Sequence, residues 1–125
     1  MKDLLICTIL DELFDDYYTI WEIMSVIRQK LPIDESKTVD ILTDSLKGLL
    51  KNNYISIFEG VTFVGDEKLV NIEITSEFIL NRCNDWKHKK SNEKDIRLGI
   101  TEIGRSYYKA NCYNTIRSAN DNKKP

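Results

Sequence analysis

Carboxylates are the side chains of this sequence with the greatest capacity for chemistry, and they are concentrated in its first half. Residues 1–50 contain ten Asp and Glu against five Lys and Arg, a net charge of −5, whereas residues 51–125 contain ten against thirteen, a net charge of +3. Clustered carboxylates can exchange protons, hold a metal ion or attract a positively charged protein. Because such a surface repels a phosphate backbone, the charge pattern favours a basic protein as the partner of the first half.

Catalysis and metal binding have few further candidates. His88 is the only histidine and lies in a charged loop, so a histidine-based triad or a metal cluster has a single poorly placed member. Cys83 would add one ligand at most, and a buried cysteine serves more often as a small apolar side chain. The five glycines are scattered and form no phosphate-binding loop. The sequence therefore predicts a protein that is not an enzyme and has no cofactor and no metal site.

Cysteine spacing and hydropathy bear on where the protein works. Cys7, Cys83 and Cys112 lie far apart and form no CxxC pair, so neither a disulfide framework nor a zinc site is indicated. Residues 1–16 include an apolar patch, but acidic residues interrupt it and no small-residue cleavage site follows, unlike in a signal peptide. No uninterrupted apolar run approaches the length of a membrane span. We expect a cytoplasmic protein with reduced cysteines and no membrane contact.

Many of the acidic residues are positioned by a predicted helix over 34–51, which leads into a strand over 54–58. Ser36 is the candidate N-cap, and Asn52 and Asn53 fit the helix end because asparagine tolerates the left-handed conformation. The inward stripe of the helix is formed by Val39, Leu42, Leu46, Leu49 and Leu50.

The opposite face of this helix would contact a partner. Its leading end shows four carboxylates against Lys37 alone, and a DNA-reading helix would insert this end into the major groove. In a simpler interpretation, Asp34 and Glu35 only complement the helix N-terminus, and the other two acids pair with Lys37 and Lys47 on a solvated face. The predicted outward residues are Ser36, Lys37, Asp40, Thr43, Asp44, Lys47 and Lys51.

The other segments predict a mainly helical α+β domain over residues 1–118, followed by a flexible tail over 119–125. A helix over 2–15 precedes a second helix that Thr19 begins, with Glu22 completing a capping box. The segments VTFV and LVNIEI predict a hairpin within 59–74, followed by a short helix, the strand IRLGI and a final helix up to residue 118. The inward residues of the first and last helices are Leu5, Ile6, Ile9, Leu10 and Leu13, and Ile103, Tyr107, Cys112 and Ile116.

Several fragments carry a family likeness that covers most of residues 4–110. ITEIGRSYY resembles a threonine-x-x-glycine-arginine-x-tyrosine signature of bacterial winged-helix proteins, including regulators of the PadR and MarR kinds. TIWEI, LKGLLKNNYISIFEG and TSEFILNRCNDW together look like a set of small bacterial winged-helix proteins in which a short helix interrupts the wing. The resemblance implies a winged helix-turn-helix fold with an extra helix in the wing. It does not select a function, since winged helices serve as DNA readers and as protein-binding modules.

The charge pattern and the resemblance together favour a protein-binding role. We expect an immunity or antitoxin type of protein that neutralises a basic nuclease toxin through an acidic surface with tyrosine anchors. The expected partner-binding residues are Asp11, Asp15, Tyr17, Tyr18, Asp34, Glu35, Asp40 and Asp44.

Two alternatives stay open. The first is a transcriptional regulator, possible as a homodimer through its last helix, in which a lysine-rich loop after Trp86 tracks the DNA backbone. The second is a passive module of a larger assembly. The nucleic-acid contacts of the first alternative would be Lys37, Lys47, Lys87, Lys89 and Lys90.

Overall fold

The chain forms an α+β fold that is mainly helical, and a computed structural model describes residues 2–60, 68–85 and 95–116. The helices of this part are α1 (Lys2–Leu13), α2 (Ile20–Lys30), α3 (Glu35–Lys51), α4 (Ser76–Asp85) and α5 (Glu102–Asn111). The strands are β1 (Tyr18–Thr19), β2 (Ile55–Gly60), β3 (Lys68–Val70) and β4 (Asp95–Ile100). Among the described helices, none combines the length and the apolar character needed to cross a membrane.

The four described strands make one antiparallel sheet in the order β1-β4-β2-β3. Ile57 of β2 lies opposite Leu98 of β4 on one side and Val70 of β3 on the other. The predicted strand LVNIEI is only partly formed, because its pairing with β2 ends at Val70. VTFV lies within 61–67, outside the described residues.

The core lies between the helices and one face of the sheet. Both α2 and α3 pack against α4, which contributes the fully buried Ile79, while α1 packs against α2, α3 and α5. Burial of each large aliphatic side chain contributes about 1.5–3 kcal/mol. The apolar faces predicted for α1 and α3 are confirmed, with Ile6, Val39 and Leu50 half-buried at the border. The largest fully buried side chains are Leu5, Ile9, Leu10, Leu13, Ile20, Ile23, Met24, Ile27, Leu42, Leu46, Leu49 and Ile79.

Local sequence signals account for the helix ends. The capping box predicted for α2 is confirmed: Thr19 accepts a hydrogen bond from the Glu22 backbone N–H, and the Glu22 carboxylate accepts one from the Thr19 backbone N–H. At α3 the N-cap is Asp34, not Ser36, since the Asp34 carboxylate accepts a bond of 3.2 Å from the Ser36 N–H. The end of α3 is followed by Asn53 at φ 61°, the left-handed conformation expected there.

Two predicted side-chain directions were wrong. Thr43 is buried, not exposed, and its hydroxyl donates to the Val39 carbonyl at 2.7 Å, which satisfies the polar group inside the fold. In α5 the inward residue is Tyr108 rather than Ile103, which is 56% exposed. The reason is that α5 packs against the end of α1, where the Tyr108 ring lies 5.1 Å from the ring of Phe14.

A disulfide bond joins the two ends of the described chain. Cys7 of α1 and Cys112, which follows α5, are bonded and both are buried. The expectation of reduced cysteines was therefore wrong for this pair. The sequence did not indicate the bond, because 105 residues separate the two cysteines and they form no recognisable motif. Beyond Cys112 a short helical segment covers 113–116, and the predicted tail over 119–125 lies outside the described residues.

Candidate protein-binding surface

The exposed face of α3 carries one row of charged side chains, here called the α3 row: Lys37, Asp40, Asp44, Lys47 and Lys51. All of its members are exposed, and their intervals of three and four residues keep them on one side of the helix. Asp40 and Asp44, here called the acidic half of the row, lie between Lys37 at its start and Lys47 and Lys51 at its end.

Two further acidic residues stand at the start of α3. Asp34 is exposed, and its carboxylate already serves the helix as the N-cap. Glu35 forms an ion pair of 2.9 Å with Arg28 at the end of α2, with side chains that are 71% and 45% exposed. Because both groups are largely solvated, this ion pair contributes little to stability, and Glu35 stays accessible to a partner.

The α3 row meets α4 at Asp40. The hydroxyl of Ser76, the first residue of α4, donates to the Asp40 carboxylate at 2.9 Å. Within the part of the chain that the structure describes, the lysines predicted to pair with Asp40 and Asp44 do not do so, and the described ion pairs involve other residues. The acidic half of the row is therefore flanked by α4 and not neutralised by its own helix.

The acidic residues at the end of α1 have mostly structural partners. Asp11 accepts a hydrogen bond from the hydroxyl of Tyr108, which ties α1 to α5. Glu12 accepts a bond of 2.7 Å from the ammonium of Lys30, and this bond raises the pKa of Lys30 although burial opposes the rise. Asp11, predicted to bind a partner, is thus already used within the fold.

Tyr18 is also less available than predicted. It lies half-buried in β1 opposite Leu98. Burial raises the pKa of its hydroxyl, and the nearby carboxylates of Glu12, Asp16 and Glu22 raise it further. These interactions hold Tyr18 as part of the sheet edge and not as a free aromatic anchor.

Asp15 and Tyr17 come together beside β4. Both line a small pocket of about 90 Å³, together with Asp16, whose carboxylate accepts a bond of 2.7 Å from the Tyr17 N–H. The Tyr17 ring is 42% exposed and lies over Gly99, with its centroid 5.2 Å from that of Phe58. A partner can therefore reach Tyr17.

The predicted site residues thus fall into two groups, one at the end of α1 and one on α3. In the first group Asp11 is bonded to Tyr108 of α5, and in the second Asp40 is bonded to Ser76 of α4. Lys87, Lys89 and Lys90 lie outside the described residues, and their role stays a prediction. In the described part of the chain, no three His, Cys, Asp or Glu side chains are gathered as a metal site would require.

One feature with binding potential was missed by the sequence analysis. A cleft of about 380 Å³ opens between α3, β2 and the residues that follow β3, including Asn71 and Ile72. Its signal in the sequence is that the strand pattern of LVNIEI continues after the pairing has ended.

Comparison with known proteins supplies no functional assignment. The sequence matches no protein-family model, and neither a curated protein nor a solved structure matches the chain. Function is therefore inferred from the surfaces of the molecule itself.

Proposed function

We propose that this chain is a winged-helix protein that binds a basic protein partner through the acidic half of the α3 row and catalyses no reaction. The order of elements supports the fold assignment: α1, β1, α2 and α3 precede β2, and β4 lies between β1 and β2 in the sheet. In this interpretation α4 is the extra helix in the wing.

The charges of the α3 row are the observation on which the proposed protein-binding role is based. A DNA-reading helix needs cations at its leading end, because phosphate contacts supply most of the affinity. Here the exposed residues at that end include Asp40 and Asp44, and α4 stands beside them through the bond from Ser76. The negative charge opposes a duplex, whereas the same carboxylates attract a basic protein and accelerate its association.

The biological role that fits such a protein is that of an immunity protein or antitoxin. A small acidic protein can cover the basic substrate groove of a nuclease by imitating the charge of its substrate. The exposed Tyr17, with Asp15 beside it, would be a second contact, since tyrosines often supply a large share of interface energy.

A charge-reversal experiment tests the proposal. The variant Asp40→Lys/Asp44→Lys and the wild type are titrated against random-sequence duplex DNA by fluorescence anisotropy, from low to physiological salt. We expect no binding by the wild type and salt-sensitive binding by the variant, because the reversed row becomes a basic face. In parallel, each protein is co-expressed with the product of the adjacent gene. We expect the wild type, but not the variant, to restore growth of the host cells.

The matched control is Glu73→Lys/Glu102→Lys, which changes the net charge equally at exposed positions outside the α3 row. If the wild type binds duplex DNA and Lys37→Glu or Lys47→Glu weakens that binding, the protein-binding proposal is wrong.

Such a result would support the second candidate, a DNA-binding transcriptional regulator. One observation favours it: Ile103 and Tyr113 are 56% and 59% exposed, which leaves apolar surface on and after α5 for a second copy.

A further inference from the structure

Strands β2 and β3 separate while the sequence of the second strand still alternates. Their last pair is Ile57 with Val70, and a continued register would place Ile55 opposite Ile72. These two residues do not pair, although Ile72 is half-buried between exposed neighbours, as in a strand. The sheet is therefore split at this point.

The backbone of Ile55 faces the split. The carbonyl of Tyr54 points toward the β4 side, where it accepts a bond of 3.0 Å from the N–H of Thr101, while the N–H of Tyr54 donates to the carbonyl of Leu49. Successive residues of an antiparallel strand direct these groups to opposite sides, so those of Ile55 point toward the β3 side. Within the described residues no strand pairs with Ile55 there. Unpaired strand edges are templates for a further strand.

A cleft lies between the separated strands. It measures about 380 Å³, within the range of roughly 300–1,000 Å³ that is usual for ligand sites. Leu50, Val70 and Ile72 give it apolar walls, and Asn53 and Asn71 add amide groups. No described residue that lines it is charged, so its chemistry matches a neutral ligand and not a phosphate or a carboxylate.

We propose that this cleft binds an extended, uncharged polypeptide segment, which pairs with the backbone of Ile55 and places apolar side chains against Leu50 and Ile72. Strand addition to an open edge is a general mode of peptide recognition, in which main-chain bonds give affinity and alternate side chains give specificity. The site goes beyond the proposed function, because it is separate from the α3 row and requires no basic partner.

The test uses the full chain and the blocked pentapeptide acetyl-Thr-Val-Thr-Ile-Thr-amide, followed by amide-resolved NMR. We expect chemical-shift changes at Ile55, Val70, Asn71 and Ile72, and slower hydrogen exchange of the Ile55 N–H when the peptide is present. A second peptide has the same sequence but methylated backbone nitrogens, which removes its hydrogen-bond donors. It is expected to bind at least about tenfold more weakly.

Two protein variants locate the site. Ile72→Glu places a charge inside the cleft and is expected to weaken binding of the peptide at least about tenfold. Leu80→Glu makes the same chemical change at a residue of α4 that is 49% exposed and does not line the cleft, and it should leave binding unchanged. The proposal is overturned if shift changes occur only elsewhere, if none occur, or if the methylated peptide binds equally well. The comparison of the two peptides needs no variant, so it decides the matter even if Ile72→Glu does not fold.

Discussion

At Gly99 and Gly104, neighbouring atoms lie so close to the backbone that an added side chain would collide with them. A Cβ at Gly104 would collide with the backbone carbonyl of Tyr54, which cannot move without disturbing β2. A Cβ at Gly99 would lie 2.5 Å from the ring of Tyr17, which is partly exposed and can swing away. We expect Gly104→Ala to lower the free energy of unfolding by about 3 kcal/mol and Gly99→Ala by about 1 kcal/mol, as measured by urea denaturation.

The control for both is Gly48→Ala in α3, where a Cβ meets nothing within 4 Å. Alanine loses less backbone entropy on folding, so this variant should be more stable by about 0.5–1 kcal/mol. If Gly104→Ala is as stable as the wild type, α5 does not lie against Tyr54.

The hydroxyl of Tyr108 makes stability depend on pH. Burial, and then the hydrogen bond to Asp11, raise the pKa of Tyr108 above its ordinary value. Above about pH 10 the unfolded chain releases this proton while the folded chain keeps it, so the free energy of unfolding falls as pH rises. Tyr108→Phe should make that fall shallower and cost about 0.5–1.5 kcal/mol at neutral pH, as measured by urea denaturation across pH. Tyr107→Phe is the matched control, since it removes a tyrosine hydroxyl from a ring that stacks on Tyr54 and leaves the Tyr108–Asp11 bond in place.

Individual residues also show where sequence reasoning stops. Thr19 with Glu22 was predictable because both partners of the capping box lie within one helical turn. The inward position of Tyr108 was not, since it depends on contact with Asp11, 97 residues away in sequence. The same bond turns Asp11 from a predicted binding residue into a structural one. Thr43 was predicted to be exposed, but it is buried because its hydroxyl donates to the Val39 carbonyl of its own helix.

At the scale of the element, the charge and the capping role of Asp34 can be separated in α3. Asp34→Asn keeps a side-chain oxygen for the Ser36 N–H, whereas Asp34→Ala removes it. Asparagine and aspartate cap about equally well, so we expect Asp34→Asn to stay within about 0.5 kcal/mol of the wild type and Asp34→Ala to lose about 1 kcal/mol, as measured by thermal unfolding. If the acidic surface extends from the α3 row to Asp34, both variants bind the basic partner equally weakly. Full binding by Asp34→Asn would limit this residue to its structural role.

The helices and strands themselves were largely predictable, because each has its own period and its own end signals. The stripe of α3 and the left-handed Asn53 after it could both be identified from the sequence. The cleft beside β3 could not, since it lies where the pairing of β2 with β3 ends, and the extent of pairing depends on the partner strand. For the candidate site, exposure of the α3 row followed from the helical period, but the bond from Ser76 to Asp40 required the packing of α4.

At the scale of the whole molecule, the disulfide bond between Cys7 and Cys112 closes a loop of 105 residues between α1 and the end of α5. In the chain-entropy model a loop of this length contributes about 4–5 kcal/mol, a large part of the roughly 5–15 kcal/mol by which domains are stable. We expect a reductant to lower the free energy of unfolding by about 2–5 kcal/mol in the wild type and in Cys83→Ser. Cys112→Ser should be equally destabilised without reductant and unaffected by it, because the bond is already absent.

Thiol titration of the unfolded chain gives an independent check: of the three cysteines, one should react before reduction. Reaction of all three would mean that α5 is held to α1 by packing and by the Tyr108–Asp11 hydrogen bond alone.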